Sequence, residues 1–203
     1  MSYSRIGRWL RKRSPLVTLV TVAPAVVIIL GLTACVEHPI GDPEESKVNP
    51  EFVGTWSSED SLLFFRPYDA RTYLISAFTY SETDGEFKAR TRIDYKAWLT
   101  PVGDETFITM QPLTIAHFVG LGKKPPYFVA QIHLVDDKLQ LRLVNAKNAA
   151  VKEATNSREL EAAIKEHMSS DSLYVGDLTV LKKVDDTSRI KAVLEVFPAE
   201  FSF

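Results

Sequence analysis

Hydrophobic and polar residues alternate in short runs along most of the chain after residue 51. In the longest run, Phe87, Ala89, Thr91, Ile93, Tyr95, Ala97 and Leu99 alternate with Lys88, Arg90, Arg92, Asp94, Lys96 and Trp98. A period of two over this length predicts a long β-strand with one buried face and one face in water. Shorter strands are predicted at 52–57, 61–66, 71–80, 105–110, 127–135, 138–144, 173–176 and 178–184, and a brief one is expected at 149–153.

Turn-forming residues separate these runs. Asp84-Gly85, Gly103-Asp104 and Asp136-Asp137 each stand between two predicted strands, where residues that accept positive φ favour tight hairpins.

Two helices are expected late in the chain. Asn156 with Glu159 forms a capping box that opens a helix to about Met168. Thr187 is placed to cap a last helix, which would carry Ile190, Val193, Leu194 and Phe197 at helical spacing.

The predicted fold class is mainly β with two helices. One-sided strands that follow one another through tight turns favour an antiparallel meander. A flat open sheet would leave many apolar side chains uncovered, so we expect a barrel or a strongly curved sheet around one core.

The first 35 residues follow a different pattern. The first fourteen hold five basic residues and no acid, and an uncharged apolar stretch runs from Pro15 to Cys35. A basic flank before an apolar core is typical of a secretory signal. The sequence Leu32-Thr33-Ala34-Cys35 resembles the lipobox of bacterial lipoproteins. This resemblance implies that the thiol of Cys35 receives a diacylglyceryl group and that a peptidase cuts before it.

The alternative is an uncleaved membrane anchor, because the apolar stretch approaches the length of a membrane span. Membrane spans rarely end in small residues followed by cysteine, which favours the lipoprotein interpretation. Cys35 is also the only cysteine in the chain. A secreted protein stabilised by disulfides would normally carry an even number.

Removing residues 1–34 leaves 19 basic and 26 acidic residues, a net charge near −7. This balance argues against nucleic acid as a partner. Residues 36–50 contain three prolines, a glycine and an acidic run, which predict a solvated tether. The expected organisation is a removed signal peptide (1–34), a lipidated tether (35–50) and a single β-rich domain (51–203).

A second resemblance begins at the first predicted strand of this domain. Gly54-Thr55-Trp56 is similar to the Gly-x-Trp motif that opens the first strand of lipocalin-like barrels. The resemblance implies that Trp56 lies at the closed end of a barrel, beneath a basic residue from a late strand. Lys182 and Lys183 are the candidates here, and no arginine lies in that stretch. Trp56 as an ordinary core aromatic is the alternative.

The sequence carries no recognisable catalytic or cofactor motif. A Gly-x-Ser-x-Gly elbow is absent, and Gly120-Leu121-Gly122-Lys123-Lys124 lacks the spacing of a phosphate-binding loop. The four histidines have no second ligand at metal spacing, and only His117, in a long loop, is retained as a candidate for function. We therefore expect no metal, no cofactor and no enzymatic activity.

Two classes of function remain. The first is a non-catalytic envelope protein whose domain binds a partner protein or carries an apolar ligand, and the second is an envelope hydrolase with an unrecognised site. An apolar cavity inside the barrel would favour ligand carriage, whereas a filled core would direct attention to the surface. The first surface to consider is the loop 111–126, and its candidate contact residues are Phe118, Leu121, Lys123, Lys124 and the adjoining Tyr127.

Val36 bears on the choice of membrane. In similar lipoproteins of bacteria with two membranes, an aspartate after the lipidated cysteine retains the protein on the inner membrane. The valine at this place favours the outer membrane, with the domain facing the periplasm.

We predict that Cys35→Ser abolishes both cleavage before residue 35 and retention in the membrane fraction, because serine lacks the thiol that carries the lipid. Mass spectrometry of the N-terminus and membrane fractionation measure the two effects. A variant that is still processed and still membrane-bound would contradict the lipid anchor.

Overall fold

Nine β-strands make up most of the structure, a computed structural model that describes residues 34–59, 61–83, 86–113, 126–184 and 190–191. The strands are β1 (Cys35–Val36), β2 (Gly54–Ser57), β3 (Ser61–Pro67), β4 (Tyr73–Thr83), β5 (Glu86–Val102), β6 (Glu105–Pro112), β7 (Tyr127–Val135), β8 (Lys138–Val144) and β9 (Tyr174–Lys183). Two helices, α1 (Ala149–Glu153) and α2 (Ser157–His167), lie between β8 and β9. Short 3₁₀ turns at Pro50–Phe52 and Asp171–Leu173 precede β2 and β9.

Strands β2 to β9 form a closed eight-stranded antiparallel barrel. Each strand pairs with the next one in the chain, and β9 returns to pair with β2. The ninth strand, β1, pairs with β7 through Cys35↔Phe128 and Val36↔Tyr127. Because β8 contacts β7 only from Ala130 onward, β1 continues the barrel wall where β8 has ended. The predicted fold class is confirmed.

The seam between β2 and β9 is short and is centred on Trp56. Only Trp56↔Lys183 and Ser57↔Lys182 are paired across it among the described residues. The indole of Trp56 is buried and donates a hydrogen bond of 2.8 Å to the carbonyl of Phe52. The ammonium of Lys183 lies 5.7 Å from the centre of the Trp56 ring, within cation–π range. Lys183 is therefore the basic residue of a late strand that was expected to lie over the Trp56 ring.

The barrel interior is filled with side chains. Apolar residues from all eight barrel strands meet there, with Phe52 at one end. The inward face of β5 carries Tyr95, Ala97 and Leu99, as the alternation predicts. The core residues are Phe52, Trp56, Phe65, Tyr73, Ile75, Ala97, Ile108, Ala130, Ile132, Leu139 and Leu181.

A second core lies outside the barrel, beneath the two helices. Leu160 and Ile164 of α2 and Val151 of α1 pack on outward residues of β5 to β8, among them Val102 and Phe107. Asn156 caps α2 by accepting from the backbone N–H of Glu159, which confirms the predicted helix start. The sheet therefore buries both of its faces in this region.

Residues 36–50 differ from the solvated tether that their composition predicts. They run across the outer face of the barrel, and we call them the strap. Val36 and Ile40 are 5% and 0% exposed. The carbonyl of Ile40 accepts hydrogen bonds from Trp98 Nε1 (2.9 Å), Thr100 Oγ1 (3.2 Å) and Thr109 Oγ1 (3.1 Å).

The rest of the strap is attached to the barrel as well. Ser46 Oγ accepts from the backbone N–H of Leu99 at 3.0 Å. Asn49 exchanges two hydrogen bonds with the hydroxyl of Tyr73, and Glu44 forms an ion pair with Arg71. The acidic side chains at positions 37, 42, 44 and 45 are exposed. The charged side chains stay in water while buried apolar and hydrogen-bonding residues hold the strap in place.

Two local expectations have other outcomes, and two more fall on residues that are not described. Residues 149–153, expected as a strand, form α1, because the Asn148 side chain accepts from Ala150 and Val151 N–H groups and caps a helix. The two late strands are one, β9, which contains Gly176 at φ 68° beside a register shift. The Asp84-Gly85 hairpin lies outside the described residues, and so does the last helix except for 190–191, which are helical.

Gly41 provides a test of the strap. Its φ is 65°, and a Cβ atom at this position would lie 2.1 Å from Thr100 Oγ1 and 2.9 Å from Thr100 Cβ. We predict that Gly41→Ala costs about 1–2 kcal/mol from left-handed strain and about 1–3 kcal/mol more from overpacking. The measurement is the free energy of unfolding in denaturant.

Gly176→Ala is the matched control. Gly176 has a similar φ of 68°, but nothing lies within 4 Å of the position that its Cβ would take. This variant should show only the strain cost of about 1–2 kcal/mol. Equal losses in the two variants would mean that the strap does not press against Thr100.

Candidate anchor and interaction sites

Cys35, the predicted lipidation site, lies in β1 at one end of the barrel. It is half-buried, and burial raises the pKa of its thiol. Burial also raises the pKa of Tyr95 to about 12, with a smaller contribution from the neighbouring charge of a Cys35 thiolate. Ala34 is buried, and the remaining residues of the lipobox, Leu32 and Thr33, lie outside the described part.

A small hollow adjoins Cys35 on the outer face. Its volume is about 150 Å³, and it lies between β1, the start of the strap and the two helices. Val36, Val151 and Leu160 form its apolar walls, and Lys152 and His38 lie at its polar side. A second hollow, between Gly41 in the strap and α2, is also on the outside of the barrel.

The predicted interaction loop is described only at its ends. Phe118, Leu121, Lys123 and Lys124, together with His117, lie outside the described residues. Tyr127 begins β7 and packs edge-to-face on Trp98 with ring centres 6.2 Å apart. It is part of the outer core and is half-buried, so a large share of its ring is already covered by this chain.

The closed end of the barrel holds a buried phenol. Tyr73 is 0% exposed as a residue and packs edge-to-face on Phe65. Its hydroxyl accepts a hydrogen bond from the N–H of Asn49 at 2.6 Å and donates one to the carbonyl of the same residue at 3.1 Å. Burial raises the pKa of Tyr73 to about 12, so the phenol is neutral at physiological pH and acts as a structural link.

Charged groups on the outer wall form separate pairs. His133 of β7 lies 2.9 Å from Glu105 of β6, and Arg142 of β8 lies 2.9 Å from Asp171. The guanidinium of Arg142 also stacks 4.0 Å from the centre of the Tyr174 ring. Within the described residues, no three His, Cys, Asp or Glu side chains come together as metal ligands.

Strand β9 presents an edge that the sequence did not predict. It has ten residues, whereas β2, its neighbour on one side, has four and pairs only with Lys182 and Lys183. From Tyr174 to Leu181, β9 pairs with β8 on the other side, and no described residue pairs with its remaining edge. The five residues 176–180 are all exposed, and Leu178 and Val180 are 42% and 38% exposed.

A strand in a barrel wall normally buries every second side chain, so five consecutive exposed residues mark a place where the wall is incomplete. The side chain of Leu181 points into the interior core. Because successive side chains point to opposite faces of a strand, those of Leu178 and Val180 lie on the outer face. The predicted first and last strands, 52–57 and 178–184, have nearly equal lengths, so the sequence carried no signal of this edge.

Among the helices in the described residues, none has both the length and the apolar character needed to cross a membrane. The comparisons with known proteins give no relative. No protein-family model matches the chain, and no curated protein or solved structure matches it significantly.

Proposed function

We propose that this chain is a bacterial envelope lipoprotein, cut before Cys35 and anchored by lipid on that residue, whose barrel is a non-catalytic module that binds a partner protein. The observation that carries the binding role is the open edge of β9 with exposed Leu178 and Val180. The lipobox and the preceding basic and apolar segments support the anchor. Val36 after the cysteine favours the outer membrane, with the barrel in the periplasm.

The closed end supports a relation to lipocalin-like barrels in architecture. Gly54 and Trp56 open the first barrel strand, and Lys183 of the last strand lies over the indole. The filled interior argues against the ligand carriage that such a relation would suggest. Large side chains such as Phe65, Tyr73 and Ile108 are fully buried inside the barrel, and both hollows described above are outside it.

An open strand edge fits an extended segment of another protein. Unpaired backbone N–H and C=O groups along an edge can add a further strand, and the alternate side chains give the selectivity. The stretch from Gly176 to Val180 lacks the lysines and prolines that usually prevent such pairing. The expected partner segment is extended, with apolar side chains that cover Leu178 and Val180.

A photo-crosslinking amino acid at position 178 tests this role in intact cells. We predict a covalent adduct with an envelope protein after irradiation, because the side chain at 178 lies at the proposed interface. The adduct should be lost when Val180→Lys is added, since a charge on an edge strand opposes pairing. The measurement is a mass shift on immunoblots, followed by identification of the partner by mass spectrometry.

The same amino acid at position 135 is the matched control. Val135 is 44% exposed, close to the 42% of Leu178, and it lies at the end of β7 beside the Asp136-Asp137 turn. No adduct should form there. Equal adducts at 135 and 178, or none at 178, would contradict the proposed binding edge, whereas an adduct of twice the mass of the chain would identify the partner as a second copy.

A further inference from the structure

The residue proposed to carry the lipid is part of the barrel wall. Cys35 pairs with Phe128, and Val36 pairs with Tyr127 and is 5% exposed. Four residues further on, Ile40 is fully buried and its carbonyl accepts three side-chain hydrogen bonds. Between the attachment point and the barrel, the chain therefore has no free linker.

The wall position of Cys35 also defines which end of the barrel is near it. Phe128 pairs with Cys35 on one side and with Met110 of β6 on the other. The last residues of β6 and the first residues of β7 therefore lie at the same end of the barrel as Cys35. Leu113, which follows β6, is 43% exposed at this end, and the exposed Lys152 of α1 lines the hollow beside Cys35.

We infer that the barrel rests directly on the lipid surface in a fixed orientation, with the end formed by Leu113, Tyr127 and Lys152 toward the membrane. This inference rests on the proposed lipid anchor at Cys35. It adds that a phospholipid surface contacts this end of the barrel. An exposed leucine and an exposed lysine are residue types that suit the interface between lipid headgroups and water.

The strand geometry gives the expected difference in height. Val135 lies seven residues beyond Phe128 along β7, about 23 Å along the strand at 3.3 Å per residue and about 16–19 Å along the barrel axis at a tilt of about 35–45°. Leu113 lies three residues past Met110 in the opposite direction, about 7–8 Å along the axis by the same geometry. A label at 113 should therefore touch the headgroups while a label at 135 stays well above them.

Lipidation uses the only native thiol, so a single introduced cysteine can be labelled selectively. The lipidated variants Leu113→Cys and Val135→Cys, with native exposures of 43% and 44%, are purified from membranes and labelled with a fluorophore. They are reconstituted in vesicles of phosphatidylethanolamine and phosphatidylglycerol that carry a nitroxide on the lipid headgroup. We expect several-fold stronger quenching of the label at 113 than of the label at 135.

A third variant shows what a free tether would give. Ten Gly and Ser residues inserted between Cys35 and Val36 have a mean reach of about 17–19 Å and separate the lipidated residue from the barrel wall. The difference in quenching between labels at 113 and 135 should then be largely lost. Equal quenching of the two labels without the insertion would overturn the fixed orientation.

The two proposals fail in distinguishable ways. If mass spectrometry finds no lipid on Cys35, the anchor itself is wrong, and this result is read before any quenching. If the lipid is present and the vesicles bind the protein but the two labels are quenched alike, the anchor stands and only the orientation is wrong. Stronger quenching at 135 than at 113 would reverse the inferred orientation and would also overturn it.

Discussion

The carbonyl oxygen of Ile40 is the contact on which the N-terminal half of this structure depends. It is buried and accepts from one indole and two hydroxyl groups, which come from β5 and β6. Each such hydrogen bond contributes about 1 kcal/mol net, and a buried donor left without a partner costs about 1–3 kcal/mol. Without the strap, the buried donors of Trp98, Thr100 and Thr109 would lose their acceptor, and without these donors the strap would lose three hydrogen bonds.

Two hydrophobic cores follow from this arrangement. The interior core fills the barrel and is closed near Trp56, where the seam between β2 and β9 is only two residue pairs long. The outer core lies between the wall, the helices and the first residues of the strap, with Val36 and Ile40 among its members. Among the described residues, none pairs with the second edge of β9 from Tyr174 to Leu181.

The sequence predicts the local elements well. Strands β7 and β8 have the predicted bounds, both residues of the Asp136-Asp137 turn have positive φ, and Asn156 caps α2. These features depend on residues that are close together in the chain, where alternation and side-chain caps determine the backbone.

The strap and the open edge could not be predicted in the same way. The strap is ordered by hydrogen bonds between residues 24 to 69 positions apart, which composition does not reveal. One clue was present, because Trp98 lies on the face of β5 that the alternation assigns to water and needs something to cover it. The open edge depends on how the lengths of β2 and β9 match once the barrel has closed, and this is a property of the pairing.

Hydrogen exchange tests the central claim, that Cys35 and the strap are part of the barrel. The claim predicts that the backbone amides of Asn49 and Leu99, which donate to the Tyr73 hydroxyl and to Ser46 Oγ, are protected like those of the barrel strands. Exchange of the Asn49 amide at the rate of an unstructured peptide, while β6 to β8 remain protected, would contradict it.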